Sequence, residues 1–350
     1  MSTTERFNFG DFRVEDWYKF LSNLTFPTEF LPLTVGQIIS ILHKYEANHK
    51  FKAVDANTST IFTKDDDVVL SKLQEDLQAL MDNHPSGTSF FVRLSTRSPK
   101  DACLKTEEFK TTLREIILEQ KDNVNESLAV ILSLNKHLIV NSSQQAINML
   151  CASERVYTDL TRTLLFLDEK HKKNYDHVLE EQSLVLRLFH VMSTPQYEFR
   201  IFVKNNGEEY ITTAITQYFK TCRFSEEMLT ESNLKHLKTL IVNSCNRVHQ
   251  IMHQKTSENY VLDVAYDKEC DTLHVIELNP FSEATSAALF DWNKPEDKKI
   301  LLGEAPFEFR VLLENVSRRE TRSQLSKEVR NMLDEMFPIE EKKKEKCILQ

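Results

Sequence analysis

Leucines at 70, 73, 77 and 80 recur at helical spacing between residues 68 and 81, and Asp65, Asp66 and Asp67 precede them where a helix N-terminus favours acids. This predicts an amphipathic helix. Leu234, Leu237, Ile241, Cys245, Val248 and Met252 fall in the same way on one face of a long helix. Residues 89–94 form a short apolar and aromatic run behind Pro85, Ser86 and Gly87, which reads as a buried strand. Between residues 105 and 181 the pattern is mixed and mostly helical, with a polar stretch over 168–176 that reads as an exposed loop or helix end. From residue 184 the texture turns strand-like at 184–188, 198–204 and 210–217. Asn206-Gly207 between the last two is a hairpin signal, so a meander is expected. Residues 261–266 and 272–278 predict a second strand pair, and a last helix is expected over roughly 317–337, ahead of Pro338 and a charged tail. Residues 11–35, with Trp17, Tyr18, Phe26, Pro27, Phe30 and Pro32, read as irregular structure packed on a core.

The length of 350 residues suits two compact domains or one domain with two lobes. Hydrophobic residues make up 41% and charged residues 28%, which argues against wholesale disorder. A net charge of -9 lacks the basic field on which nucleic-acid affinity depends, so nucleic acid is not the expected partner. The six cysteines show no C-x-x-C pair or zinc spacing, and reduced thiols in the cytoplasm are the simplest reading. The N-terminal residues carry no apolar leader pattern, and no window approaches a membrane span.

Side chains on a strand alternate faces, so Glu277 and Asn279 project from one side, and a short hairpin register sets Asp263 opposite Glu277. Two carboxylates and an amide oxygen form the hard ligand set that magnesium takes with phosphate and water. Spacing alone reads equally as a solvated strand face. A cationic set accompanies the acids: Arg93 and Arg187 in apolar strands, Lys100, and Arg200. An arginine buried there needs a partner, either a phosphate or carboxylate ligand or a structural salt bridge such as Arg200 with Glu198 or Glu277. Neither G-x-x-x-x-G-K-[ST] nor G-x-G-x-x-G occurs, which excludes P-loop and Rossmann readings at motif level. His249 and His253 have zincin spacing, but Gln250 stands where the general-base glutamate belongs, so an ordinary amphipathic helix is expected. Cys347-Ile348-Leu349-Gln350 fits a prenylation C-a-a-X box of farnesyl type. The neighbouring lysines are offset by Glu340, Glu341 and Glu345, so a prenyl group there would give reversible membrane association.

The strings FFVRLSTRSPKDA, SLVLRLF, YEFRIFVKNNGEEYITTAITQYF, YVLDVAYD and LHVIELNPFSEATSAALFDW occur in an order that resembles the cell division cycle protein 123 family. The likeness runs from about Trp17 to Leu312. It implies an α+β, ATP-grasp-like fold with two lobes around a nucleotide. The expected lobes are residues 1–183 and 184–316, followed by an added C-terminal helix and tail over 317–350. It also implies an assembly chaperone for eukaryotic translation initiation factor 2, acting through its gamma subunit with ATP and magnesium as cofactors. The alternatives are an ATP-grasp ligase or phosphotransferase, or a prenylated adaptor. By this resemblance Arg93 stands where the family has a phosphate-binding lysine, Leu186 and Arg187 lie on the strand lining the adenine pocket, and Arg200 faces the phosphates. Asp263, Glu277 and Asn279 match the metal ligands, with Glu277 in place of the usual aspartate. Ser95-Thr96 replaces an Asn-Trp pair and Leu188-Phe189 a Lys-Trp pair, and the stretch over 105–150 is longer than the family norm.

Overall fold

Two sheets organise the chain, and the alternation along their strands decides which side chains meet helices and which meet the opposite sheet. The structure is a computed structural model that describes residues 12–49, 63–120, 125–167, 172–189 and 195–339. The first sheet has the order β1-β4-β2-β3, with β1 (Thr28–Thr34), β2 (Phe90–Leu94), β3 (Ile139–Val140) and β4 (Val178–Leu188), all antiparallel. The second has the order β8-β7-β5-β6-β9, with β5 (Glu198–Asn205), β6 (Tyr210–Gln217), β7 (Tyr260–Asp267), β8 (Thr272–Pro280) and β9 (Glu308–Arg310). Only the β6–β9 pair in it is parallel.

Phe90, Val92, Leu94, Leu184 and Leu186 share one face of the first sheet and pack beneath α2 (Val35–His49), α3 (Lys64–Asp82), α6 (Ser143–Leu150) and α7 (Glu154–Phe166). The acidic start of α3 does more than complement the helix dipole: Asp66 closes a capping box with Thr63 and accepts the Ser40 hydroxyl of α2. On the second sheet, Phe199, Ile201, Val203, Tyr260, Leu262 and Val264 form a core with α8 (Glu231–His253) and with α1 (Val14–Leu21), whose Trp17 is fully buried. Each such large apolar side chain contributes about 1.5–3 kcal/mol by leaving water. Phe202, Val261 and Phe290 occupy the other face, against α9 (Pro295–Leu301). A third cluster joins α4 (Glu107–Glu119) and α5 (Glu126–Leu138) to α11 (Lys327–Met336).

The structure corrects three expectations. The stretch expected to be irregular, 11–35, contains α1 and β1 within its described residues 12–35. Pro32 is tolerated because β1 is an edge strand, and its register shifts between Pro32 and Leu33. The strand β4 pairs only within the first sheet, so it does not join β5 and β6 in a meander. The final helix is two, α10 (Arg318–Ser323) and α11, because Ser326 caps a fresh helix start. Val329, Met332 and Leu333 of α11 are core residues. No helix among the described residues is long and apolar enough to cross a membrane. Cys347 lies outside the described residues.

Candidate functional site

Arg93, paired with Val185, and Arg187, paired with Phe91, face away from the helical core of the first sheet and toward β8. Arg93 Nη2 donates to Glu277 Oε1 at 2.8 Å, and Arg187 Nη1 donates to the Ile276 carbonyl at 2.7 Å. These contacts tie the two sheets together. Arg187 also donates to Thr25 Oγ1 at 2.6 Å and lies over the rings of Phe26 and Trp17, 5.2 and 5.7 Å from their centroids. Its Nε is buried and has no hydrogen-bond acceptor among the described residues.

Within the second sheet, β5 and β7 set Arg200 directly opposite Asp263, and β7 and β8 set Asp263 opposite Glu277, as the hairpin spacing predicts. Arg200 grips Asp263 with two bonds of 2.8 and 2.7 Å and donates a third to the Ser286 carbonyl at 2.8 Å. The salt-bridge partner of Arg200 is therefore Asp263, not Glu198 or Glu277. The Asn279 amide donates to Asp263 Oδ2 at 2.9 Å, so Asp263, Glu277 and Asn279 do converge. A bulge between Asp263 and Val264 adjusts the strand at this point. Leu186 does not join them: its side chain is fully buried in the helical core on the far face of β4.

Arg93, Arg187, Arg200 and Asp263 are each no more than 5% exposed, so their pairings are not screened as surface pairs are. Burial pushes the Asp263 carboxyl up, while the Arg200 guanidinium and the Asn279 amide draw it back down. Burial also presses on Glu277, but Arg93, with Lys100 and Arg187 behind it, holds that carboxyl below its ordinary range. Three guanidiniums thus face two carboxylates, leaving positive charge in excess. A bare divalent cation is a poor fit for such a site, and among the described residues no group of three His, Cys, Asp or Glu side chains forms a metal cluster. Two carboxylates and an amide oxygen are the donor set that would suit a cation bringing its own polyanion, with the arginines as the groups that would receive its phosphates.

Two residues here escape the sequence motifs. Glu198 lies two positions before Arg200, hence on the same strand face, and burial drives its pKa to about 7 despite the pull of Lys100. Tyr218 places its ring 4.8 Å from the Arg200 guanidinium. Period-two alternation would have found the first; the second depends on the chain turning after β6. The family departures also have structural roles. Ser95 Oγ donates to Glu15 of α1 and accepts the Ser183 amide at 2.7 Å, and Thr96 binds Asp159 of α7 at 2.8 Å. His249 lies buried between Tyr210 and Tyr260, where desolvation lowers its pKa to about 4, as suits a core histidine.

The architecture defines an α+β protein with an ATP-grasp-like fold. It superposes on the structure of Cdc123 from Schizosaccharomyces pombe with a TM-score of 0.54 at 18% identity, covering 86% of this chain and 95% of that one. A C-terminally truncated form of the same protein gives 0.54 at 17%, covering 87% and 96%. The D123 family profile matches residues 17–338, and the chain belongs to that family. The matched region takes in α10 and α11. A translation initiation factor eIF2 assembly protein of Lodderomyces elongisporus is 25% identical over 151 residues, 42% of this chain and 38% of the relative. One of Danio rerio is 26% identical over 199 residues, 56% of this chain and 52% of the relative. The matched region therefore spans about half or less of those relatives.

Proposed function

We propose that this protein binds ATP with magnesium and serves as an assembly chaperone for eukaryotic translation initiation factor 2, acting on its gamma subunit. The observation that carries the nucleotide part is the convergence of Asp263, Glu277 and Asn279 beneath arginines from both sheets. The partner is supported by the names of the two relatives and by membership of the family. When bound, magnesium would neutralise part of the triphosphate charge. Asp263, Glu277 and Asn279 would hold it, while Arg93, Arg187 and Arg200 would orient the phosphates. Arg93 and Arg187 already bridge to β8, so a ligand gripping both sheets stabilises their closed arrangement. Turnover is not required by this reading. A ligand at a hundredfold excess over its dissociation constant adds about 2.7 kcal/mol to stability, enough to couple nucleotide occupancy to partner capture.

Calorimetry with ATP tests the nucleotide part: the expected result is a rise in melting temperature that needs magnesium, and no shift at millimolar ATP counts against it. Affinity capture from eukaryotic extract tests the partner: the wild-type chain should retain initiation factor 2 subunits that Asp263→Ala loses. A ligase reading is favoured by the excess of cations around the carboxylates, since phosphoryl transfer is catalysed mainly by positioning and electrostatics. ADP release dependent on an added acceptor would select it.

A further inference from the structure

The face of the second sheet turned away from the carboxylate cluster carries a cavity of its own. Because strand side chains alternate, Leu262 and Val264 of β7 point toward α8, while Asp263 between them points to Arg200. A cavity of about 350 Å³ lies among those two side chains, α8, the turn Ser22–Leu24 and the start of β8. Its origin is legible in α8: Cys245, with Ser244 beside it, interrupts the stripe of Leu237, Ile241, Val248 and Met252 with small side chains, which leaves room opposite Leu273 and Val275. Burial pushes the Cys245 thiol up to about 12, so it stays protonated and serves as wall rather than nucleophile. Three polar side chains edge the apolar wall: Asn23, Ser244 and Arg247. None of them forms a salt bridge or a side-chain hydrogen bond among the described residues. Asp271 is the one acid among the described residues lining the cavity. Its carboxylate is held by His236 at 3.0 Å and by the Tyr266 hydroxyl at 2.9 Å, so it does not answer Arg247.

We propose that this cavity binds a small monocarboxylate with an apolar body. Small-molecule sites are largely apolar pockets with a few placed polar groups, and the volume falls near the lower end of their roughly 300–1,000 Å³ range, which favours a small ligand over a macromolecular segment. Leu24, Leu240, Leu273 and Val275 offer the surface for the body. At the edge, the Arg247 guanidinium is the planar fork that pairs with a carboxylate through two parallel charge-assisted bonds, and the Ser244 hydroxyl and Asn23 amide are further donors. One unanswered cation matches one negative charge, and Asp271 on the same wall disfavours an anion that carries more. The site does not depend on the nucleotide reading, since it shares no residue with the carboxylate cluster and the sheet stands between them.

Titration calorimetry of the full chain with octanoate tests the proposal, with acetate and octanol as probes of the head and the body alone. Octanoate should bind with a dissociation constant of about 1 mM or tighter, and about tenfold or more tightly than either control. Arg247→Met should weaken octanoate by about tenfold, to the level of octanol, while leaving the melting temperature unchanged, because the side chain is exposed. Ser244→Phe, which fills the cavity from a half-buried position, should abolish binding of octanoate and octanol alike. ATP and magnesium added together should leave the octanoate isotherm unchanged, whereas competition would put octanoate in the carboxylate cluster and overturn the proposal. Absence of octanoate binding, or an affinity unaltered in either variant, overturns it as well.

Discussion

Replacing Glu277 by glutamine removes one charge and almost no volume, and it acts where the two sheets are joined. Arg93, 4% exposed, donates to Glu277 Oε1 at 2.8 Å and among the described residues otherwise bonds only the Leu94 carbonyl, at 3.0 Å. Breaking a fully buried pair costs about 3–5 kcal/mol. The Glu277 side chain is 29% exposed, so water screens part of the interaction, and the glutamine oxygen still accepts a hydrogen bond. The expected loss is therefore about 2 kcal/mol, or about 3 °C in melting temperature for a chain of 350 residues. Urea unfolding near neutral pH should detect it. The pH dependence separates charge from packing. Arg93 holds the folded-state pKa of Glu277 below the unfolded value near 4.5, so the stabilisation is complete above that value and is lost as pH falls through the folded pKa. Wild type and Glu277→Gln should consequently converge in acid. A double-mutant cycle with Arg93→Met and Glu277→Met should give a coupling of about 1–2 kcal/mol. Equal stability at neutral pH, a gap that persists in strong acid, or a coupling near zero would refute the reasoning.

Two further perturbations read different parts of the molecule. Burial raises the folded-state pKa of Glu198 from 4.5 to about 7, Lys100 opposing and Asp263 adding, so the folded protein binds this proton more tightly and stability falls as pH rises through that window. Glu198→Gln should abolish the slope and gain up to about 3 kcal/mol at alkaline pH, read by denaturant titration on both sides of the window; an unchanged slope rejects the assignment. Glu126 is fully buried and held by Arg322 through bonds of 2.7 and 2.6 Å and by Arg318 at 2.7 Å. Glu126→Gln should cost about 3–5 kcal/mol and speed amide exchange in α10 and α11 before other elements, whereas uniform exchange would show that this cluster does not anchor them.

The elements with strong periodicity were legible from the chain alone. α3 and α8 follow their apolar stripes, and the β5–β6 and β7–β8 hairpins follow Asn206-Gly207 and the polar turn around Asp267. The same two-residue alternation gave the register of Asp263 against Glu277, because a hairpin fixes its pairing locally. Distant pairings were not readable. Sequence order suggested that β4 would continue into β5, yet β4 is stitched between β1 and β2, a choice made by side chains such as Leu184 and Leu186 entering a helical core far off in sequence. The arginine partners were open for the same reason: Arg93 and Glu277 are 184 positions apart, and only the assembled fold decides which carboxylate each guanidinium meets. Breakers misled over residues 11–35. The aromatic and proline-rich run hid the stripe Val14, Trp17 and Leu21 that forms α1.

The pairing scheme also governs how an anion would enter the site. Arg93 and Arg200 already hold Glu277 and Asp263, so a phosphate arriving there exchanges one acceptor for another. The free energy of that exchange is a difference between two charge-assisted bonds, and such differences are small. Arg187 stands apart, because its buried Nε lacks an acceptor among the described residues and gains a bond without surrendering one. Asp263 and Glu277, if neutralised by a bound metal ion, would release the guanidiniums to an anion, which shifts the balance in the same direction. Affinity for the anion should therefore depend steeply on the cation. The physical origin of that dependence is the prior ion pairing of the arginines.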